Sequence, residues 1–164
     1  MKTILLAAAL LLAATTAAHA EVKKGEHFVE LDAKAGNGKA FRLKDMAGKW
    51  VLFGFNASWC GPCKKELPAL DKIAPKLAGK MLFVAVNIDS DASDGKQFID
   101  SLKLRRIFPV FMNDENSAAM KAYDPDRMPS LFVIDPKGTV QLVEYGYNKG
   151  DEDRLCAKLL DLTK

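Results

Sequence analysis

Two cysteines three positions apart are the residues whose spacing in this chain first suggests chemistry. They stand in Trp59-Cys60-Gly61-Pro62-Cys63, where a helical pattern begins. A two-residue spacer at a helix start brings both sulfurs within bridging reach with little backbone movement. Pro62 falls in the first helical turn, where its missing N–H costs nothing. The unpaired amides and positive dipole end of such a helix favour the thiolate of Cys60, the species that attacks disulfides. Cys63, one turn deeper, is expected to be less exposed and to resolve a mixed disulfide on Cys60 in a fast intramolecular step.

Other uses of the same residues are weaker. A structural disulfide across so tight a loop removes little unfolded-chain entropy. A metal site needs further ligands, and past residue 20 the chain offers one histidine, His27, and no second Cys-x-x-Cys pair. His27 reads as an ordinary surface or packing residue. The pair therefore reads as redox chemistry carried by the sulfurs alone, with no cofactor or metal. The third cysteine, Cys156, lies beside the apolar stripe of the last helical segment and reads as a small packing residue; a regulatory or intermolecular thiol is the other reading.

Glu66 follows Cys63 by three residues, so both project from one helix face with Cβ atoms roughly 5–6 Å apart. A partly buried carboxylate there could shuttle the proton of Cys63, or oppose thiolate formation by repulsion. A solvated helix carboxylate beside Lys64 and Lys65 is the plainer alternative. Those lysines read as a solvated face whose field slightly favours the thiolate. Trp59 is either a ring shielding the sulfurs or part of the core. Pro129, by itself, is a proline opening a strand, and its bond to Met128 would be trans, since about 5–6% of such bonds are cis.

These residues need elements to position them. Phe28-Val29-Glu30-Leu31 and Ala40-Phe41-Arg42-Leu43 flank Gly36-Asn37-Gly38 and predict an N-terminal hairpin. Trp50 to Phe55 and Met81 to Ile88 are apolar runs suited to strands buried on both faces. A helix is predicted from about Cys60 to Ala78, with Leu67, Leu70, Ile73 or Ala74, and Leu77 inward, Pro68 kinking it and Gly79 just past its end. A loop and helix over Asp91 to Leu104, a strand at Pro109 to Met112 and a helix over Glu115 to Tyr123 follow. Ser130 to Ile134 and Thr139 to Tyr145 are strands joined by the turn Asp135-Pro136-Lys137-Gly138. The last helix spans about Asp151 to Leu162. Strands alternating with helices, then a hairpin and a final helix, indicate one α/β domain.

The first twenty residues stand apart. Lys2 precedes an uncharged apolar run from Ile4 to Ala14, and Ala18-His19-Ala20 offers a small-x-small cleavage pattern, as in a secretory signal. The run is too short for the roughly 20 residues of a membrane-spanning helix. Residues 1–20 are thus expected to be a signal peptide and 21–164 the domain, exported after cleavage near Ala20; an uncleaved membrane anchor is the alternative. Of the formal net charge of +3, one unit belongs to Lys2, so nothing in the balance argues for nucleic acid or a charged membrane surface. An oxidising compartment suits a redox pair.

Trp59-Cys60-Gly61-Pro62-Cys63 is similar to the thioredoxin active-site motif, and Pro68 lies where thioredoxins carry a helix-kinking proline. The wider chain resembles the TlpA/ResA branch of exported thioredoxin-like proteins. That resemblance runs through Phe28-Val29-Glu30-Leu31, Gly48-Lys49-Trp50-Val51-Leu52, Val86-Asn87-Ile88-Asp89, Phe108-Pro109-Val110, Met128-Pro129-Ser130, Phe132-Val133-Ile134-Asp135 and Gly138. It implies a thioredoxin-like fold: a central mixed β-sheet flanked by helices, extended by the N-terminal hairpin. It also implies a cis Met128–Pro129 bond facing the cysteines, with Met128, Pro129 and Trp59 contacting an extended substrate segment, and a functional Glu66 near the sulfurs. Thioredoxin's buried aspartate maps to Gly54, so Glu66 is a candidate stand-in. Where the branch commonly has Asn-Phe-Trp, this chain has Gly54-Phe55-Asn56, which leaves substrate contacts near Asn56 open.

The activity so implied is thiol–disulfide exchange. A monomer would reduce disulfides of exported proteins, such as apocytochrome c, and be recharged by a membrane electron transporter of the DsbD or CcdA type. A disulfide oxidant or isomerase uses the same sulfurs. A binding protein, for example a copper carrier or chaperone, is the alternative of another class, and the lack of nearby histidine weakens copper.

Overall fold

The computed structural model describes residues 21–164, the side chain of Asp126 excepted; the expected signal peptide lies outside them. Seven strands form one sheet: β1 (Ala33–Ala35), β2 (Ala40–Phe41), β3 (Trp50–Asn56), β4 (Met81–Asn87), β5 (Ile107–Phe111), β6 (Ser130–Ile134) and β7 (Val140–Tyr145). Their spatial order is β2-β1-β5-β4-β3-β6-β7. The central β3, β4 and β5 run parallel, while β6, β7, β1 and β2 pair antiparallel around them. This is the expected mixed sheet.

Four helices cover it: α1 (Cys63–Ile73), α2 (Ala92–Leu102), α3 (Ala118–Tyr123) and α4 (Asp151–Leu162). Alternation along β3 divides its side chains between two cores. Leu52 packs with Leu67, Leu70 and Ile73 of α1, Phe98 and Ile99 of α2, and Leu155 and Leu159 of α4. Val51, Phe53 and Phe55 point the other way, to Ala119 and Tyr123 of α3 and to Leu31, Phe41 and Leu43 of the N-terminal segment. Asp91 caps α2 by accepting from the Ser93 amide at 2.7 Å, and Ser117 caps α3 through the Met120 amide at 3.2 Å.

Three local expectations are corrected. The N-terminal hairpin is present, but its first strand is Ala33–Ala35 rather than Phe28–Leu31. Glu30 explains the difference. Its carboxylate takes the amides of Leu31, Leu43 and Lys44, and the Val29 backbone bonds the Tyr123 hydroxyl, so Val29 and Leu31 spend their amides on side chains instead of a ladder. The long helix begins at Cys63, not Cys60, and yields at Ile73 to a 3₁₀ turn over Ala74–Leu77, because Pro75 cannot continue it. Pro68 does lie inside α1, and Gly79 takes the expected positive φ of 78° just beyond the turn. The third predicted helix starts later than expected, at Ala118, where Ser117 supplies its cap.

Candidate functional site

The segment from Ala57 to Pro62 joins the end of β3 to the start of α1, which fixes both cysteines at one end of the sheet. Cys60 and Cys63 form a disulfide with an S–S distance of 1.99 Å and a Cα–Cα distance of 5.3 Å. Cys63 is fully buried and Cys60 retains 4% exposure, so the outer sulfur belongs to the residue expected to attack. The Cys63 amide, one of the unpaired donors at the start of α1, lies 3.2 Å from Cys60 Sγ. In the reduced state that amide favours a thiolate on Cys60. Cys63 Sγ lies 4.0 Å from the Phe55 carbonyl oxygen, an acceptor for its thiol. Lys64 and Lys65 are exposed, as expected of a solvated face.

Trp59 is 69% exposed, which rules out the core reading of this ring. It forms an apolar projection beside Cys60. Asn56, by contrast, is buried: its Nδ2 donates to the Gly54 carbonyl and its Oδ1 accepts from Asn87. It is therefore a structural residue and not a surface contact. Cys156 is a free cysteine buried in the same apolar cluster as the disulfide.

The peptide bond between Met128 and Pro129 is cis, as the resemblance implied. Pro129 immediately precedes β6, and Ser130 of β6 pairs with Phe55 at the end of β3. That register brings Met128-Pro129 to the same end of the sheet as the cysteine segment, and Met128 packs, partly buried, on the cluster containing Cys60 and Cys63. The Ser130 hydroxyl is buried without a hydrogen-bond partner. Arg127, just before Met128, stacks 3.9 Å from the Tyr145 ring centroid and pairs with Glu21.

Glu66 is buried, with 3% exposure, which removes the solvated reading. Burial is the largest cause that raises its pKa from 4.5 to about 8, helped by the charges of Glu144 and Asp151. At neutral pH it is therefore mostly protonated, poised to give or take a proton beside Cys63. At Gly54, a Cβ would come within 2.6 Å of Leu131 Cδ2, so a carboxylate side chain has no room there without moving Leu131. The buried acid of this site sits on α1 instead.

Sequence reasoning missed a polar clamp. The carboxylate of Asp89, itself 3% exposed, accepts from the Ser58 amide at 2.9 Å, the Ser58 hydroxyl at 2.8 Å and Asn87 Nδ2 at 2.8 Å. It ties the segment carrying Trp59 and Cys60 to the end of β4. The signal was present in Asn87-Ile88-Asp89, two polar residues closing an otherwise apolar strand. No group of histidine, cysteine, aspartate and glutamate side chains suited to holding a metal ion occurs among the described residues.

Comparison with known proteins agrees with this geometry. The redoxin family profile matches residues 16–159. The thioredoxin-like protein YneN of Bacillus subtilis is 32% identical over 128 residues, covering 76% of this chain and 73% of YneN. The thiol-disulfide oxidoreductase ResA of Bacillus thuringiensis is 34% identical over 120 residues, covering 72% of this chain and 65% of ResA. The chain thus spans just under two thirds of the length of that ResA. Among solved structures, a candidate thiol:disulfide interchange protein DsbE from Chlorobium tepidum superposes with a TM-score of 0.78 at 28% identity, covering 88% of this chain and all of the other. The thioredoxin-like fold is shared.

Proposed function

Because the chain belongs to the redoxin family, we propose that it is a thiol–disulfide oxidoreductase that reduces disulfides of exported proteins through Cys60 and Cys63. The single observation that carries this reading is the disulfide at the start of α1, with Cys60 outermost and the Cys63 amide on its sulfur. In the reduced protein the Cys60 thiolate attacks a substrate disulfide and releases one substrate sulfur as a thiolate. Cys63, after losing its proton, attacks Cys60; the Cys60–Cys63 bond forms and the second substrate sulfur leaves. Two electrons pass to the substrate, whose thiolates take up protons. In its ionised form, the minor one at neutral pH, Glu66 is the proton acceptor for Cys63, supported by its burial one helical turn away.

Trp59, Met128 and Pro129 form the docking surface for an extended substrate segment. Their place at the cysteine end of the sheet and the exposure of Trp59 support that role. Residues 1–20 act as a cleaved signal peptide that exports the domain of residues 21–164, as their composition suggests. No helix among the described residues is long and apolar enough to cross a membrane. The resemblance to ResA supports recharging by a membrane donor of the DsbD or CcdA type and apocytochrome c as one substrate.

The test is the reduction potential of the Cys60/Cys63 couple in defined thiol buffers, together with insulin reduction by wild type and Cys60→Ser. A potential near that of thioredoxin, about −270 mV, and activity lost in the variant are expected. A potential near about −120 mV would make the protein an oxidant. Activity equal in the two proteins would favour a binding role.

A further inference from the structure

Glu66 faces more than the cysteines. Its carboxyl group receives no hydrogen bond among the described residues. It borders a cavity of about 10 Å³, roughly the room needed by one water. Leu70, Leu131 and Leu155 are apolar walls of this cavity. Its remaining wall is polar: Tyr147 from the segment joining β7 to α4, Glu144 from β7, and Asp151 and Glu152 from α4.

That segment, Gly146 to Gly150, is fastened to α4 by side chains. The Tyr147 hydroxyl donates to Glu152 Oε2 at 2.8 Å, and the Gly150 amide donates to the same oxygen at 2.9 Å. The Asn148 amide donates to Asp151 Oδ2 at 2.8 Å. Both ends of the segment are glycines in the left-handed region, with φ of 73° and 100°, where other residues are strained. A segment held by two carboxylates and flanked by two glycines therefore lines the outer side of the cavity that Glu66 borders.

We propose that the Gly146–Gly150 segment is the port through which Glu66 exchanges its proton with solvent, with Tyr147 as cover and Glu152 as latch. The proposal deepens the oxidoreductase reading and rests on it. When Cys63 attacks Cys60, its thiol proton passes to Glu66 in the fraction of molecules that hold it as a carboxylate, a minority at neutral pH. The Cys63–Cys60 bond forms, the bond from Cys60 to the substrate breaks, and the electron pair leaves on the substrate sulfur. Glu66 then releases the proton through the water-sized cavity past Tyr147, and is ready for the next turn.

The groups facing Glu66 set its charge. Cys63 lies on its own helix, Glu144 comes from β7, Tyr147 from the port, and Asp151 and Glu152 from α4. Arg154 and Lys158 hold Glu144, with Arg154 also 3.6 Å from Asp151, while Lys72 of α1 acts on Glu152. These three carboxylates and three cations balance, so burial, helped by the nearby charges of Glu144 and Asp151, is what keeps Glu66 protonated.

The port can be read without turnover, by following the Glu66 carboxyl carbon by NMR during a pH titration of the oxidised protein. Tyr147→Ala removes the cover and is expected to lower the midpoint by about one pH unit or more, as water reaches the carboxylate. Tyr147→Phe keeps the ring and loses only the latch, so a smaller shift in the same direction is expected; this variant also guards against a fold defect in Tyr147→Ala. In stopped-flow exchange of the reduced protein with glutathione disulfide, the resolving step of Tyr147→Ala should accelerate several-fold with imidazole concentration. Adding Glu66→Gln should abolish that dependence. A midpoint unmoved in both Tyr147 variants overturns the port, as does a buffer dependence that survives Glu66→Gln. Failure of wild type to reduce insulin would instead sink the oxidoreductase reading and leave the titration standing.

Discussion

The two faces of the sheet each bury an ionisable side chain, and they treat it in opposite ways. Toward α3, Tyr123 sits fully buried among aromatic rings, with centroids 5.2 Å from Phe53 and 4.8 Å from Phe132. Its hydroxyl donates to the Val29 carbonyl at 2.6 Å and accepts from the Val29 amide at 2.9 Å. Toward α1 and α4, Glu66 sits among leucines beside the disulfide, and its carboxyl group has no such partner. A buried polar group with its bonds satisfied serves stability, whereas one without a partner costs stability. One face therefore locks the N-terminal segment to the sheet, and the other keeps a proton carrier ready.

The comparison breaks most visibly at Glu66. Its pKa is about 8 in the native protein against 4.5 as the ordinary value. Between those limits the native state binds one proton more than the unfolded chain, so stability must fall as pH rises. The contribution is intact below pH 4.5 and is lost as pH rises through about 8, to an extent on the order of 5 kcal/mol. Glu66→Gln abolishes this titration. Urea denaturation of the oxidised proteins at pH 5 and pH 9 should show the variant gaining on wild type at the higher pH. A difference between the two proteins that stays constant with pH would contradict the buried, protonated carboxyl.

Tyr123→Phe probes the other face. The ring remains, but the Val29 amide and carbonyl lose their partner, which should cost about 2 kcal/mol. Burial is the largest cause that pushes the Tyr123 hydroxyl well above its ordinary pKa, so it stays protonated and the loss should not change between pH 5 and pH 9. Insulin reduction at a temperature where both proteins are folded should be unaltered. If activity fell with stability, the division of labour between the faces would be wrong.

How much of this was legible in the sequence depends on how far apart the partners lie. The cysteine motif, the apolar runs of β3 and β4, the hairpin of β6 and β7 and the stripe of α4 are local patterns, and all were read close to their observed limits. Phe28–Leu31 looked like a strand by composition, yet Tyr123, 94 residues away, took the Val29 backbone. Asp89 and Ser58 are 31 residues apart, so the clamp on the cysteine segment has no local signature beyond the polar end of β4. Spacing from Cys63 puts Glu66 on the same helix face, and the family resemblance is what favours a functional role for it. Its burial and its carboxylate-lined outer wall depend on β7 and α4 folding over α1, which no window around residue 66 contains.

The smallest effect is expected at Cys156, and it sharpens the comparison by asking whether the whole cysteine-bearing face is reactive or only its end. Cys156 lies on α4, 4% exposed, in the same apolar cluster as Cys60 and Cys63. A buried thiol in an apolar cluster packs as a small apolar group. Cys156→Ala removes one sulfur and leaves a minor void, a loss of about 1 kcal/mol. The reduction potential and insulin activity should match wild type. In the reduced native protein, iodoacetamide should label Cys60 and spare Cys156 until denaturant is added. Labelling of Cys156 in the native state, or a covalent dimer that disappears in Cys156→Ala, would show that reactivity extends along the face. Protection would confine it to the end of the sheet, where the helix amides, Glu66 and the Met128-Pro129 turn converge.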